Sequence, residues 1–292
     1  MAATIIDGKA IAQQMQNEMK AEVEELVKKG VTPRLDVILV GEDPASQVYV
    51  RNKGRACDRL GVASGTHRLP ESASEEEILR LIEEFNKDPK VHGILVQLPL
   101  PDHVNEGAVL NFINPDKDVD GFHPVNVGRM VVNEPGFLPC TPHGIQMLLI
   151  RSGIETKGKH VVIVGRSNIV GKPVANILLQ KKDGANAVVT VVHTAAPDMS
   201  VFTRQADILV VAVGRSEMIT ADMVKEGVVV IDVGINRVED SSKEKGYRLT
   251  GDVDFAGVSE KASYITPVPG GVGPMTITML LHNTIEAARR TI

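Results

Sequence analysis

A chain of 292 residues, 43% hydrophobic, 24% charged and only 3% aromatic, has an ordinary globular composition and the length of about two domains. Its 32 basic and 37 acidic side chains leave a formal charge of −5, which argues against general affinity for nucleic acid or acidic membranes. Cys57 and Cys140 form neither a disulfide framework nor a CxxC, no apolar run approaches the ~20 residues of a membrane span, and the N-terminus has no basic stretch ahead of an apolar one, so the expectation is a reduced, cytoplasmic protein without a signal peptide.

After Asp7-Gly8, the apolar residues Ile11, Met15, Met19, Val23, Leu26 and Val27 mark one face of a long helix, about Lys9 to Lys29, ended by Gly30. Arg34 to Val40 reads as a buried strand. The turn Gly41-Glu42-Asp43-Pro44 then opens a second helix, with Asp43 as cap, Pro44 at its first position and Gly61 as its stop. Ser46, Tyr49 and Lys53 share one face of that helix. They lie just beyond the carboxyl end of a strand, where open α/β sheets line ligand crevices. Taken alone, the triplet is better read as a solvated face with a snorkelling lysine and tyrosine. Val62 to Leu69 is a weaker strand. Ser74-x-x-Glu77 is a capping box that opens a helix to about Asn86. Val91 to Leu98 forms a strand that presents Gln97 at its carboxyl end, ahead of Pro99 and Pro101. A short helix, His103 to Phe112, precedes the polar loop Asn114 to Pro124. The alternation predicts a parallel sheet with crossover helices.

A second unit begins near Cys140-Thr141-Pro142 with a helix from about His143 to Ser152. The strand His160 to Val164 runs into Gly165-Arg166-Ser167-Asn168-Ile169-Val170-Gly171 and a helix to about Gln180. Strands follow at Ala187 to Val192, Asp207 to Val213 and Val228 to Val233. Ile235 to Thr250 reads as a hairpin or excursion. A rigid loop, Thr266 to Pro274, opens a last helix from about Met275 to Arg290. Strand, glycine turn, helix, strand is a dinucleotide-binding pattern.

The turn at Gly165 aims backbone N–H groups and a helix N-terminus at a prospective phosphate. Its spacing is not G-x-G-x-x-G, because Ser167 stands where the second glycine would be. A βα turn whose glycines serve packing is an equal reading. The strand ending Val191-Val192-His193-Thr194 carries no carboxylate for ribose hydroxyls. Arg166 and Thr194 suit a ribose 2′-phosphate instead, which favours NADP over NAD. Arg166 also reads as a solvated arginine and His193 as an ordinary core or surface histidine. No H-x-x-x-H spacing or cysteine motif suggests a metal site.

Five stretches carry a family resemblance: Tyr49 to Lys53, Gly93 to Pro101, Lys117 to Phe122, Gly165 to Pro173 and Pro267 to Thr276. In this order, spanning nearly the whole chain, they resemble the bifunctional methylenetetrahydrofolate dehydrogenase/methenyltetrahydrofolate cyclohydrolase family. The resemblance implies an α/β fold: an N-terminal three-layer α/β domain plus a Rossmann-like NADP-binding domain with the cleft between them. The folate domain would be residues 1–140, completed by the C-terminal helix 272–292, and the NADP domain residues 141–271. Lys53 is then the catalytic lysine, accompanied by Gln97, with Tyr49 at the folate and Asp120 on the pterin. Val96, Leu98, Pro99, Pro269, Gly270 and Gly271 would shape the substrate pocket. Gly165, Arg166, Ser167, Thr194 and Ile235 would bind NADP. The family also suggests tetrahydrofolate substrates, a role in one-carbon metabolism and purine biosynthesis, and a homodimer. One departure is that His193-Thr194 is followed by Ala195-Ala196, where relatives often carry a basic or polar group.

These residues suit both reactions. Hydride transfer needs face-to-face positioning. Hydrolysis needs proton transfer, and a lysine, which normally titrates near ~10.4, becomes a base at neutral pH only if burial lowers that value. A dehydrogenase with little cyclohydrolase activity would use the same motifs. A non-catalytic NADP- or folate-binding regulator is the reading from another class, and the intact Lys53, Gln97 and Asp120 argue against it.

Overall fold

The computed structural model describes residues 2–243 and 246–292. The chain forms two compact units: unit 1 comprises Met1–Gln13 with Thr141–Thr276, and unit 2 comprises Gln14–Cys140 with Ile277–Ile292. In chain order the elements up to the middle of the chain are β1 (Thr4–Ile5), α1 (Gly8–Lys28), β2 (Arg34–Val40), α2 (Pro44–Leu60), β3 (Ala63–Leu69), α3 (Glu75–Lys87), β4 (Gly93–Val96), α4 (Glu106–Phe112), α5 (Pro124–Val132) and α6 (Cys140–Arg151). Then come β5 (His160–Val164), α7 (Gly171–Leu179), β6 (Val188–Val192), α8 (Ser200–Thr203), β7 (Ile208–Val211), β8 (Val229–Asp232), β9 (Asn236–Glu239), β10 (Tyr247–Thr250), α9 (Phe255–Ser259), β11 (Tyr264–Ile265) and α10 (Val272–Arg289). The division between the units falls inside α1, α6 and α10.

Unit 2 is built on a three-stranded parallel sheet of order β3-β2-β4. Successive side chains of a strand face opposite ways, so β2 serves two layers at once. Ile38 and Val40 join Ile78, Ile82, Phe85, Ile94, Val109 and Ile113 in a core under α3 and α4. Leu35, Val37 and Leu39, on the other face, are equally buried. The expected helix signals act as read. Asp43 accepts the Ser46 N–H at 2.7 Å, Pro44 opens α2, and Gly61 closes it at φ 77°. Ser74 and Glu77 cap each other across the first turn of α3.

Unit 1 contains a six-stranded sheet of order β1-β11-β8-β7-β5-β6, with every pairing parallel. The strands β5, β7 and β8 are buried on both faces, which explains their unbroken valine and isoleucine runs. From β5 the chain moves to β6 on one side and then to β7 on the other, so the strand order reverses between β5 and β7. The stretch Ile235 to Thr250 contains the antiparallel pair β9 and β10.

Several elements go beyond the sequence expectation. Helix α5 starts where only a polar loop was expected: Pro124 opens it, and the ring Nδ1 of His123 accepts the Val125 N–H at 3.1 Å in place of a short polar cap. The strands β1 and β11 are two residues each, too short for any periodicity to show.

Candidate active site

In unit 2, α2 and the end of β4 bring Lys53 and Gln97 together. Ser46 is buried on the shared helix face, Tyr49 is 41% exposed, and Lys53 is half-buried. Lys53 Nζ donates to Gln97 Oε1 at 3.1 Å. The Gln97 amide is fixed from behind, since its Nε2 donates to the Leu98 carbonyl at 2.8 Å and its N–H to the Ile38 carbonyl at 2.9 Å. Leu98 and Pro99, joined by a cis peptide, continue from this point, while Val96 belongs to the core beneath.

Asp120 reaches the same place because the loop that carries it runs alongside β4. Asp118 bridges Ile94 in parallel, and Ile94 N–H donates to the Lys117 carbonyl at 2.8 Å. Asp118 itself is buried and faces inward. Its Oδ2 accepts the His123 N–H at 2.8 Å and the Asn126 amide at 2.9 Å, and its Oδ1 accepts the Phe122 N–H at 3.3 Å. Asn283 of α10 closes the loop from the other side, donating to the carbonyls of Val119 at 2.8 Å and Leu138 at 3.0 Å.

Burial sets the electrostatics of this group. Desolvation pulls the Lys53 amine below the ordinary lysine range, while Asp120, then Cys140 and Cys57, oppose the shift. Desolvation raises the Asp120 carboxyl, and Lys53 works against it. The buried Cys140 thiol donates to the Val119 carbonyl at 3.3 Å and lies against Asp120; burial first and that carboxylate second push it well above the usual thiol range. Asp118 is pushed up to about 6, mainly by burial. The result is an amine biased toward its neutral form beside a carboxylate and an amide. A downward shift moves a lysine toward the range in which it can serve as a proton-transfer group.

In unit 1, the turn after β5 lies at the point where strand order reverses, the usual ligand position in such sheets. Gly165 has φ +125°, and a Cβ there would fall on the Ala212 carbonyl oxygen. A Cβ at Gly171 would fall on the Gly165 carbonyl oxygen, so the turn folds back closely on itself. Arg166 and Ser167 are exposed, and Ser167 Oγ accepts the N–H groups of Val170 at 3.1 Å and Gly171 at 3.3 Å at the start of α7. At the end of β6, His193 Nδ1 accepts the Ala195 N–H at 3.2 Å, and Thr194 is exposed. Ile235, just past β8, is 46% exposed. This shape fits a dinucleotide: a tight glycine turn, a helix N-terminus, an exposed guanidinium and no competing carboxylate at the end of β6. Pro269, Gly270 and Gly271 also belong to unit 1, where the Gly270 carbonyl accepts the Lys9 N–H at 3.0 Å. Among the described residues, no group of three or more His, Cys, Asp or Glu is placed to hold a metal ion.

Residues 6–120 match the family description "Tetrahydrofolate dehydrogenase/cyclohydrolase, catalytic domain", and residues 139–292 match its "NAD(P)-binding domain". The chain belongs to the tetrahydrofolate dehydrogenase/cyclohydrolase family. Bifunctional protein FolD of Moorella thermoacetica is 58% identical over 290 residues, covering 99% of this chain and 100% of the relative. The Bacillus subtilis protein of that name is 56% identical over 292 residues, with both chains fully covered. Among solved structures, the Campylobacter jejuni family enzyme superposes with a TM-score of 0.94 at 50% identity, covering 100% of both chains. The Trypanosoma brucei family enzyme, solved with NADP cofactor and inhibitor, superposes with a TM-score of 0.94 at 42% identity, covering 100% of this chain and 99% of its own.

Within the family frame, Lys53, Gln97 and Asp120 come together with Leu98 and Pro99 in unit 2. Gly165, Arg166, Ser167, Thr194 and Ile235 stand at the carboxyl ends of β5, β6 and β8 in unit 1. Sequence reasoning passed over Asp118, Asn126, Cys140 and Asn283, which support Asp120. Asp118 had a signal, standing two residues from Asp120 in one motif. The other three have none, because only the fold brings them to the loop.

Proposed function

We propose that this chain oxidises 5,10-methylenetetrahydrofolate to 5,10-methenyltetrahydrofolate with NADP and then hydrolyses that product to 10-formyltetrahydrofolate. The observation that carries the reading is the Lys53 amine, held against Gln97 beside Asp120 and biased by burial toward its neutral form. Tyr49, Lys53, Gln97 and Asp120 of unit 2 serve the folate, and Asp120 accepts paired N–H groups from the amino-pyrimidine edge of the pterin. Gly165, Arg166, Ser167, Thr194 and Ile235 of unit 1 serve NADP, which supplies a hydride acceptor when bound.

In the hydrolytic step, water adds to the methenyl carbon. Neutral Lys53 takes a proton from that water, and Gln97 holds the amine in place. As the ring C–N bond breaks, the hydroxyl proton of the resulting carbinol passes to the ring nitrogen, leaving the formyl group on the other nitrogen, and the proton taken by Lys53 is released to solvent. The family resemblance further supports a cytoplasmic homodimer acting in one-carbon metabolism and purine biosynthesis. No helix is long and apolar enough to cross a membrane among the described residues.

The test is absorbance after mixing the protein with NADP and methylenetetrahydrofolate. The expected result is reduced cofactor with only transient methenyl product. A lasting methenyl signal would leave a dehydrogenase alone, and no reduced cofactor would leave a binding protein.

A further inference from the structure

Two buried aspartates tie together the loops at the carboxyl ends of β7 and β8 in unit 1, and no step above uses either. Asp252 is fully buried just after β10. Its Oδ2 accepts the N–H groups of Val213 at 2.7 Å and Gly214 at 2.9 Å. Its Oδ1 accepts the Arg215 N–H and the Asn236 amide, both at 2.9 Å. Behind it, Asp232 at the end of β8 accepts the N–H of Gly234 at 3.0 Å and of Asp252 at 2.9 Å on Oδ1, and that of Val253 at 3.1 Å on Oδ2. The glycines make room for this stack. A Cβ at Gly234 would fall on the Asp252 carboxylate, and one at Gly251 on the Asp232 carboxylate.

Location gives the network its meaning. The loop Val213–Arg215 follows directly on Ala212, the residue whose carbonyl packs on Gly165 and whose N–H donates to the Val164 carbonyl at 2.8 Å. Gly214 and Arg215 are exposed and only Val213 packs on the core, so the backbone N–H groups of this loop are held chiefly by Asp252, and Gly214 sits at φ +67°. One carboxylate therefore orders the loop beside the glycine turn and, through Asn236, the loop that carries Ile235. We infer that Asp252 is a positioning residue for the dehydrogenase reaction, fixing the Val213–Arg215 and Gly234–Asn236 loops beside the cofactor turn. This rests on the reading of the Gly165 turn as the NADP cradle.

An asparagine at 252 keeps the shape but replaces one acceptor oxygen with an N–H₂ facing N–H donors, which it cannot satisfy. In the full-length Asp252→Asn variant, the KM for NADP should rise about tenfold or more. Cyclohydrolase activity on supplied methenyltetrahydrofolate, assayed without cofactor, should stay within about twofold, because Lys53, Gln97 and Asp120 are untouched. Thr203→Ala is the control, since it removes a part-buried bond from Thr203 Oγ1 to the Met223 carbonyl at 2.6 Å in the same unit. It should lower Tm and leave the KM for NADP unchanged.

An unchanged KM in Asp252→Asn overturns the inference. So does an equal rise in Thr203→Ala, or a parallel fall in both activities. Where Asp252→Asn does not fold, Asn236→Ala carries the test: a rise of several fold in KM for NADP supports the inference, and no change overturns it. Amide-exchange protection of residues 166–172 on adding NADPH to the wild type reports on the cradle itself. No protection there defeats the cradle reading, whereas protection with an unchanged variant KM defeats only the role of Asp252.

Discussion

Each unit holds a functional loop from behind with buried carboxylates, and the two differ in what the loop then offers. In unit 2, Asp118 accepts the N–H groups of Phe122 and His123 and the Asn126 amide, while Asp120, two residues on, remains to face Lys53. Structure and chemistry are divided between two aspartates of one motif. In unit 1, Asp232 and Asp252 both accept backbone N–H groups, and the Val213–Arg215 loop that Asp252 holds follows Ala212, whose carbonyl packs on the glycine turn that carries Arg166. In the proposed reading, one loop sets a carboxylate for the pterin beside the Lys53 of α2, whereas the other supports a cradle for a charged but unreactive phosphate. Proton transfer needs a side chain whose pKa can be moved, but phosphate binding needs N–H donors and a fixed positive charge.

Breaking the reactive side should cost most. Lys53→Met should lower cyclohydrolase activity by about a thousandfold, since it removes the proton-transfer group. NADPH affinity should be nearly unchanged, and hydrolysis of methenyl substrate at a near-wild-type rate would refute the assignment.

Asp120→Ala comes next. Loss of charge-assisted bonds to the pterin, at about 1.5–3 kcal/mol, predicts a ten- to hundredfold fall in kcat/KM for folate. Asp118→Ala sharpens the comparison: it should lower Tm as well as folate use, whereas Asp120→Ala should leave Tm nearly intact. An equal loss for folate and NADP in Asp120→Ala would show that the loop is misassigned.

On the cradle side, Arg166→Ala should reduce kcat/KM for NADP about tenfold and barely change that for NAD, because one charge-assisted contact to the 2′-phosphate is lost. Ala195 and Ala196 supply no second basic group, so the wild-type preference should itself be modest. Equal losses with both cofactors would remove Arg166 from that role.

The smallest expected effect is in pH dependence. Asp118 has its carboxyl pushed up to about 6 by burial. The folded state therefore holds a proton that the unfolded state has already released at pH 5, and stability from this group falls as pH rises from about 4 to about 6. Chemical denaturation should show about 1 kcal/mol more loss between pH 5 and pH 7 in the wild type than in Asp118→Asn. Identical slopes would show that Asp118 keeps an ordinary pKa.

Much of this was readable in residues because it is local. Asp43-Pro44 to Gly61, Ser74 with Glu77, and the valine runs of the central strands all act within a few positions. The role of Asp118 was not readable, since two aspartates in Lys117-Asp118-Val119-Asp120 look alike until the backbone turns one inward. Cys140 and Asn283 stand next to Asp120 only through the fold, and a sequence offers no rule for such distant neighbours. Helix α5 escaped because a histidine ring nitrogen does the work of a serine or aspartate cap. The exposed Arg166 remains as ambiguous in isolation as it was in sequence, and its meaning comes from the glycine turn that carries it.

The short strand β1 has a consequence for how the protein is made. Thr4 pairs with Tyr264, Ile5 with Ile265, and the Ile6 N–H donates to the Ile265 carbonyl at 2.9 Å. Of the strands described, β1 is therefore made before all the others and waits for β11, the last of them, before it has a partner. The centre of the sheet, β5 to β8, comes from a continuous stretch and can assemble first, and its outer edge is sealed only once β11 has been made.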